Sequence, residues 1–255
     1  MSGTLDEFLQ NNFSRDGYLA VSPLFDDAKI AEINRELERF IVDVVPTMPS
    51  THVYYEHKDE SNSLKQLQKI FQYDSYFNDL MTTGAIRSIA EELLQDEAVP
   101  INMQYFNKPP SGGLATPPHQ DGYYFHLTPC EAVTGWLALE DVDEENGCIH
   151  YVKGSHLKPT FRAHGKTGVI GFSQGISDFG SADDIANTVA IPGTAGTFLM
   201  HNAKTIHFAG ANRSDTRSRR ALGFIYYAKR ARIDTDAQDA YQRSLDIQLK
   251  FDSKI

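Results

Sequence analysis

The chain has 255 residues, 41% of them apolar and 23% charged, and a net charge of −10. This is ordinary globular composition with enough apolar mass for a core, in one large domain or two small ones. The acidic balance argues against a nucleic-acid binder. No apolar run approaches the roughly 18 residues of a membrane span, and MSGTLDEFLQNN lacks the regions of a secretory signal, so a cytoplasmic protein without a membrane partner is expected.

Residues 4–45 have helical texture. Leu5, Phe8, Leu9 and Phe13 fall on one face, and after Ser22-Pro23 so do Ile30, Ile33, Leu37, Ile41 and Val44, with Asp26 or Asp27 as the cap. Residues 46–64 read as a loop, and 65–96, with KQLQKIFQ and IRSIAEELLQ, as a further helical region. From residue 99 the pattern changes. VPINMQYF, AVTGWLALEDV, GCIHYV, GTAGTFLMHN, TIHFAG and RRALGFIYYA are short, β-branched and aromatic runs separated by Pro, Gly and Asn. Helices followed by many short strands predict an α+β protein built on a sandwich or barrel. The Gly- and Ser-rich stretch 157–188 is long and irregular, as an active-site cover would be. A last amphipathic helix is expected over DAQDAYQRSLDIQLKF. Cys130 and Cys148 are too few for a disulfide framework and have no zinc spacing.

The chemistry-bearing motif is His119-Gln120-Asp121. In an extended strand, residues i and i+2 point the same way, so an imidazole and a carboxylate would share a metal. Three facial ligands with three open positions suit iron(II). The second His-x-Asp, His57-Lys58-Asp59, sits in the charged run YYEHKDESNS and reads as a solvated loop. The third ligand must come from another strand. His207, opening TIHFAGAN, and His201, ending GTFLMHN, are the main candidates, with His150 of the earlier run GCIHYV read as a core or face histidine.

Three segments together resemble the phytanoyl-CoA dioxygenase family of iron(II)/2-oxoglutarate oxygenases. They are NKPPSGG followed by HQD, then GWLALEDVDEENGCIHYVKGSH, then HNAKTIHFAGANRSDTRSRRAL. The resemblance implies a double-stranded β-helix, a cupin-like jelly roll with the N-terminal helices packed on one side. It implies one oxygenase domain over 1–255: a helical region 1–98, a core 99–230 with an insertion at about 157–188, and a C-terminal helix 231–255. His119, Asp121 and His207 become the iron ligands. Gln104, Gln120 and Trp136 fall near 2-oxoglutarate, which with dioxygen completes the cofactor set. The family often has a small hydroxyl residue two positions after the distal His, and here that position is Ala209. The implied activity is hydroxylation of a small organic molecule, coupled to decarboxylation of 2-oxoglutarate. Desaturation, cyclisation and a metal-binding jelly roll without oxygenase activity are the alternatives. Asp121 argues against halogenation, in which halide takes the place of the carboxylate.

The cosubstrate is a dicarboxylate, which calls for an arginine. In RRALGFIYYA, Arg219 shares a strand face with Ala221 and Gly223, small residues that leave room, whereas Arg220 shares one with Leu222 and Phe224. Arg219 is therefore expected to hold the distal carboxylate. The rest of the arginine cluster reads as solvated surface. Tyr123 and His126 after the metal motif, and Arg162 and Phe172 with His164 and Gln174 in the long segment, are candidate substrate contacts.

Overall fold

A computed structural model of the protein describes residues 7–56, 63–169, 172–240 and 243. Helix α1 (Glu7–Asp16) leads into strand β1 (Tyr18–Val21), which the sequence pattern had not suggested. Helix α2 (Asp27–Asp43) starts where the Asp26 carboxylate accepts the Lys29 N–H, and it buries Ile30, Ile33, Leu37 and Phe40. Spacings of three and four put these on a single face. The expected loop 46–64 contains β2 (Val53–Tyr55). The expected helix at residue 65 is instead a strand, β3 (Leu64–Leu67). Gln66 and Leu67 pair there with Phe106 and Tyr105 of the next strand, and this tertiary pairing overrides a locally helical spacing. Helices α3 (Ser75–Thr82) and α4 (Gly84–Leu94) complete the N-terminal layer.

The jelly roll follows. Its strands begin with β4 (Ala98–Lys108) and β5 (Thr116–His119). A one-turn helix, α5 (Gly122–Phe125), precedes β6 (Leu127–Thr128), β7 (Ala132–Ala138) and β8 (Ile149–Val152). The stretch 157–188, expected to be irregular, holds a hairpin of β9 (His164–Val169) and β10 (Phe172–Ile176) and a capped helix, α6 (Ala182–Asn187). Then come β11 (Thr188–Ile191), β12 (Phe198–Asn202), β13 (His207–Ala209), β14 (Arg219–Ala228) and β15 (Arg232–Ile233). Of the C-terminal helix expected over 231–255, residues 235–240 and Arg243 are helical, whereas Arg232 and Ile233 form β15 because they pair with β6. Positions 241–242 and 244–255 lie outside the described residues, as does His57-Lys58-Asp59.

Antiparallel pairing builds a seven-stranded sheet, β1-β12-β7-β14-β4-β3-β2, and a four-stranded sheet, β11-β8-β13-β5. Alternation along β14 decides what each face meets. Leu222, Phe224 and Tyr226 join Leu37, Phe40, Phe77 and Ile86 in the core under the helices. Ala221 faces the other way, into a second core with Trp136, Ile149 and Tyr151 between the sheets. This is the α+β double-stranded β-helix, with helices on the outer face of the large sheet and a cavity between the two. Among the described residues no helix is long and apolar enough to cross a membrane. Both cysteines are free.

Candidate metal centre and cofactor cavity

His119 ends β5, and the backbone turns helical at once: Asp121 has φ −56° and ψ −40° and heads α5. The two side chains therefore converge across a strand-to-helix corner and not by strand alternation, because the run after His119 is a helical turn where an extended strand was expected. Gly122 makes the corner possible. Its N–H donates to the Ala203 carbonyl at 2.8 Å, and a Cβ there would meet Cys130 Sγ at 2.7 Å and the Phe161 ring at 2.8 Å. His207 lies on β13 directly opposite His119 on β5 and opposite Tyr151 on β8. The His119 and His207 ring centroids are 4.1 Å apart.

Ligand atoms of His119, Asp121 and His207 lie within 4.8 Å of one another. Each histidine turns its inner nitrogen to a carbonyl: His119 Nδ1–H donates to Pro117 at 2.8 Å, and His207 Nδ1–H to Thr205 at 3.1 Å. These bonds fix the tautomer and leave the Nε2 lone pairs for a metal. The Nε2 atoms stand 3.4 and 3.8 Å from Asp121 Oδ1. Burial opposes ionisation of Asp121, but the surrounding imidazoles of His207, His119 and His201 outweigh it and hold the carboxyl well below its usual range. Burial, with His201 and His119 beside it, keeps His207 well below the usual imidazole value. A carboxylate and neutral imidazoles are the protonation states that metal binding requires.

These residues line one end of a cavity of about 340 Å³, and Arg219, Trp136, Gln104 and Gly223 line it as well. Arg219 is 3% exposed, and its Nε has no hydrogen-bond partner among the described residues. Burial pulls its pKa down to about 10, so it is still a cation at neutral pH. Its guanidinium carbon lies 5.5 Å from the Trp136 ring centre. A buried cation with no ion pair among the described residues is costly unless an anion joins it, so this cradle fits a carboxylate. Gln104, Gly223 and Trp136 form one row across β4, β14 and β7. A Cβ on Gly223 would come within 2.9 Å of Phe106, so the glycine keeps the row open beside the arginine. Arg220 points away and pairs with Glu140 at 2.8 Å.

Other residues singled out in the sequence sit elsewhere. Gln120 does not face the cavity: its carboxamide donates to Lys204 O at 2.7 Å and accepts from the Arg162 N–H at 2.9 Å, which ties the long segment to the metal corner. Arg162 is ion-paired with Asp178 and Asp184 at 2.8 and 2.7 Å. Tyr123 stacks on His164 with centroids 3.9 Å apart, while its neighbours Tyr124 and Phe125 line the cavity. The Tyr124 hydroxyl donates to the Gln174 carbonyl at 2.5 Å. His126 caps α5 in the left-handed region, away from the lining. The Phe172 side chain lies outside what is described. Sequence reasoning missed Thr134, Asn102, Gln66 and Gln68 on the cavity wall. It also missed Lys108, buried and donating to the Gly210 carbonyl at 2.5 Å. Polar residues at inward positions of a strand were the available signal for Thr134, Asn102 and Lys108.

A jelly roll carrying a His-Asp-His cluster at one end and a buried arginine along the same cavity has the build of a non-haem iron oxygenase. The family model for phytanoyl-CoA dioxygenase (PhyH) matches residues 13–221, and the chain belongs to that family. The Caenorhabditis briggsae phytanoyl-CoA dioxygenase domain-containing protein 1 homolog is 23% identical over 251 residues, covering 81% of this chain and 86% of that one. The Bos taurus phytanoyl-CoA dioxygenase domain-containing protein 1 is 30% identical over 154 residues, 59% of this chain, and the match spans about half of that relative's length (52%). Among solved structures, the epimerase SnoN in complex with Fe3+, alpha ketoglutarate and nogalamycin RO is 25% identical with a TM-score of 0.71, covering 88% of this chain and 84% of that one. Iron and 2-oxoglutarate are accordingly the cofactors of this protein.

Proposed function

We propose that the protein, acting as one oxygenase unit, hydroxylates a small organic substrate while converting 2-oxoglutarate to succinate. In this reading His119 Nε2, His207 Nε2 and Asp121 Oδ1 hold iron(II), and Arg219 holds the distal carboxylate of 2-oxoglutarate. The observation that carries it is the buried Arg219 guanidinium, which has no ion pair among the described residues and an unpartnered Nε, in the same cavity as the ligand cluster. Iron and 2-oxoglutarate together supply the activation of dioxygen when bound. The chain's own groups do the rest. Arg219 fixes the cosubstrate through a planar charged contact, Trp136 and Gln104 flank it, and Gly223 leaves space for its carbon chain. Phe125, Ile225 and Phe208 offer an apolar surface to a substrate, and Gln68 and Asn102 a polar edge without charge. Lys69 N–H donates to Asn102 Oδ1 at 2.8 Å, which turns the Asn102 amide N–H groups towards the cavity.

Succinate release across a panel of small uncharged molecules, with mass spectrometry of each product, tests the reading. Gain of one oxygen atom is expected. Loss of two hydrogens would point to desaturation or cyclisation, and an isomer of unchanged mass to epimerisation. Chloride incorporation, or the absence of 2-oxoglutarate turnover with every member of the panel and in the uncoupled reaction, would contradict it.

A further inference from the structure

We infer that His201 and Tyr151 are positioning residues that restrict Asp121 to one metal-binding oxygen. The inference rests on the metal assignment above and concerns the side of the carboxylate turned away from the cluster. His201 sits on β12 directly opposite Thr134 on β7, and both reach Asp121 Oδ2. Thr134 Oγ1 donates to it at 2.6 Å, and His201 Nε2 lies 3.2 Å away. An ionised carboxylate only accepts, so His201 Nε2 must carry a proton whether or not Nδ1 is also protonated. A protonated Nε2 has no lone pair for a metal. His201 is therefore a donor, although its ring centroid is only 4.0 Å from that of His207.

Behind His201, the Tyr151 hydroxyl faces Nδ1 at 2.9 Å. Tyr151 is fully buried and stacked on Tyr18, with centroids 4.3 Å apart and planes 14° from parallel, so the hydroxyl cannot swing away. A hydroxyl donating to Nδ1 keeps the proton of a neutral ring on Nε2. The bonds run from Tyr151 to His201 and from His201 to Asp121 Oδ2, with Thr134 on the same oxygen. Two donors occupy Oδ2. Oδ1 alone is left facing His119 and His207 Nε2. One-point binding by the carboxylate leaves three positions of an octahedron open, the number a chelating cosubstrate and dioxygen need. Two-point binding would close one of them.

The test uses the whole protein, Co(II) affinity by calorimetry without oxygen, and pulsed EPR of the Cu(II) form to count coordinated imidazoles. The unmodified protein should show two imidazoles. His201→Ala should keep two and bind Co(II) about 10–100-fold more weakly, the usual cost of losing such an outer partner. His201→Gln, whose amide N–H can reach Oδ2, should recover most of that loss. Tyr151→Phe keeps the Nε2 proton that Oδ2 requires but loses the hydroxyl that fixes the ring, so it should keep two imidazoles and bind Co(II) more weakly than the unmodified protein, by less than His201→Ala does. Three imidazoles in the unmodified protein falling to two in His201→Ala would make His201 a ligand and overturn the inference. Unchanged Co(II) affinity and imidazole count in both His201→Ala and Tyr151→Phe would reduce these contacts to packing and also overturn it. If the unmodified protein binds no Co(II), the metal centre fails and this inference with it. Metal binding without 2-oxoglutarate uptake would sink the oxygenase reading, and the variant pattern would still decide this one.

Discussion

Arg219 and Lys108 face each other across β14 and β4, two buried basic side chains of different consequence. Arg219 has an open cavity in front of it. Arg219→Ala should cost about 1.5–3 kcal/mol of cosubstrate binding, the range for a hydrogen bond to a charged group, which raises the 2-oxoglutarate requirement about ten- to hundredfold. Iron binding should survive, and Arg220→Ala should leave the requirement unchanged because Arg220 is engaged with Glu140. Lys108 instead points to backbone carbonyls. Burial, reinforced by the like charges of Arg219 and Lys65, pulls its pKa to about 6, against about 10.4 in an unfolded chain. Between those values the unfolded chain binds a proton that the native chain does not, so this group makes stability rise with pH across that window. Lys108→Met should flatten the gain in Tm between about pH 7 and pH 9 relative to the unmodified protein. An equal gain in both would show that the amine is not held neutral. The side-chain alternation that separates Arg219 from Arg220 was legible in RRALGFIYYA. The neutral lysine was not, because its state depends on what β13 and β14 bring around it.

At the scale of elements, β14 does most to shape the site: one face closes the core under the helices and the other carries Arg219 and Gly223 into the cavity. Gly223→Val would set a branched side chain between Gln104 and Trp136. Folding and metal binding should persist, at a cost of about 1–3 kcal/mol for overpacking, while equilibrium dialysis should show 2-oxoglutarate binding lost. Unchanged uptake would mean that the cosubstrate lies along another row. The strands rich in β-branched and aromatic residues (β4, β7, β8, β12, β13 and β14) were visible in the sequence as a sandwich or barrel, which the family resemblance narrowed to the jelly roll. The outlying strands β1, β2 and β3 were not. Their local preferences are weak or helical, and only neighbours far along the chain make them strands. For the same reason Asp121 was expected to meet His119 along a strand, whereas the pair meets at a corner set by Gly122, Ala203 and Phe161.

In the whole molecule, the segment 157–188 is held to the metal corner by the Arg162 backbone N–H on Gln120 and by the stacking of His164 on Tyr123, and the Arg162 side chain braces it internally through Asp184. Arg162→Ala would leave Asp184, 5% exposed, without its cationic partner. Limited proteolysis within 157–188 should then be faster than in the unmodified protein, and an unchanged rate would show that these pairs do not brace the segment internally. The acidic net charge fits the surface around β14. Arg217 pairs there with Asp143 and Glu145, and Arg230 with Glu131.

The metal centre meets its most direct test in an anaerobic titration of the protein with iron(II) and 2-oxoglutarate, followed by visible absorption, since a chelated 2-oxo acid gives iron(II) a weak charge-transfer band. The band should form in the unmodified protein and, at saturating iron, in His201→Ala, and it should be absent from His207→Ala. A band kept by His207→Ala and lost by His201→Ala would contradict the ligand set.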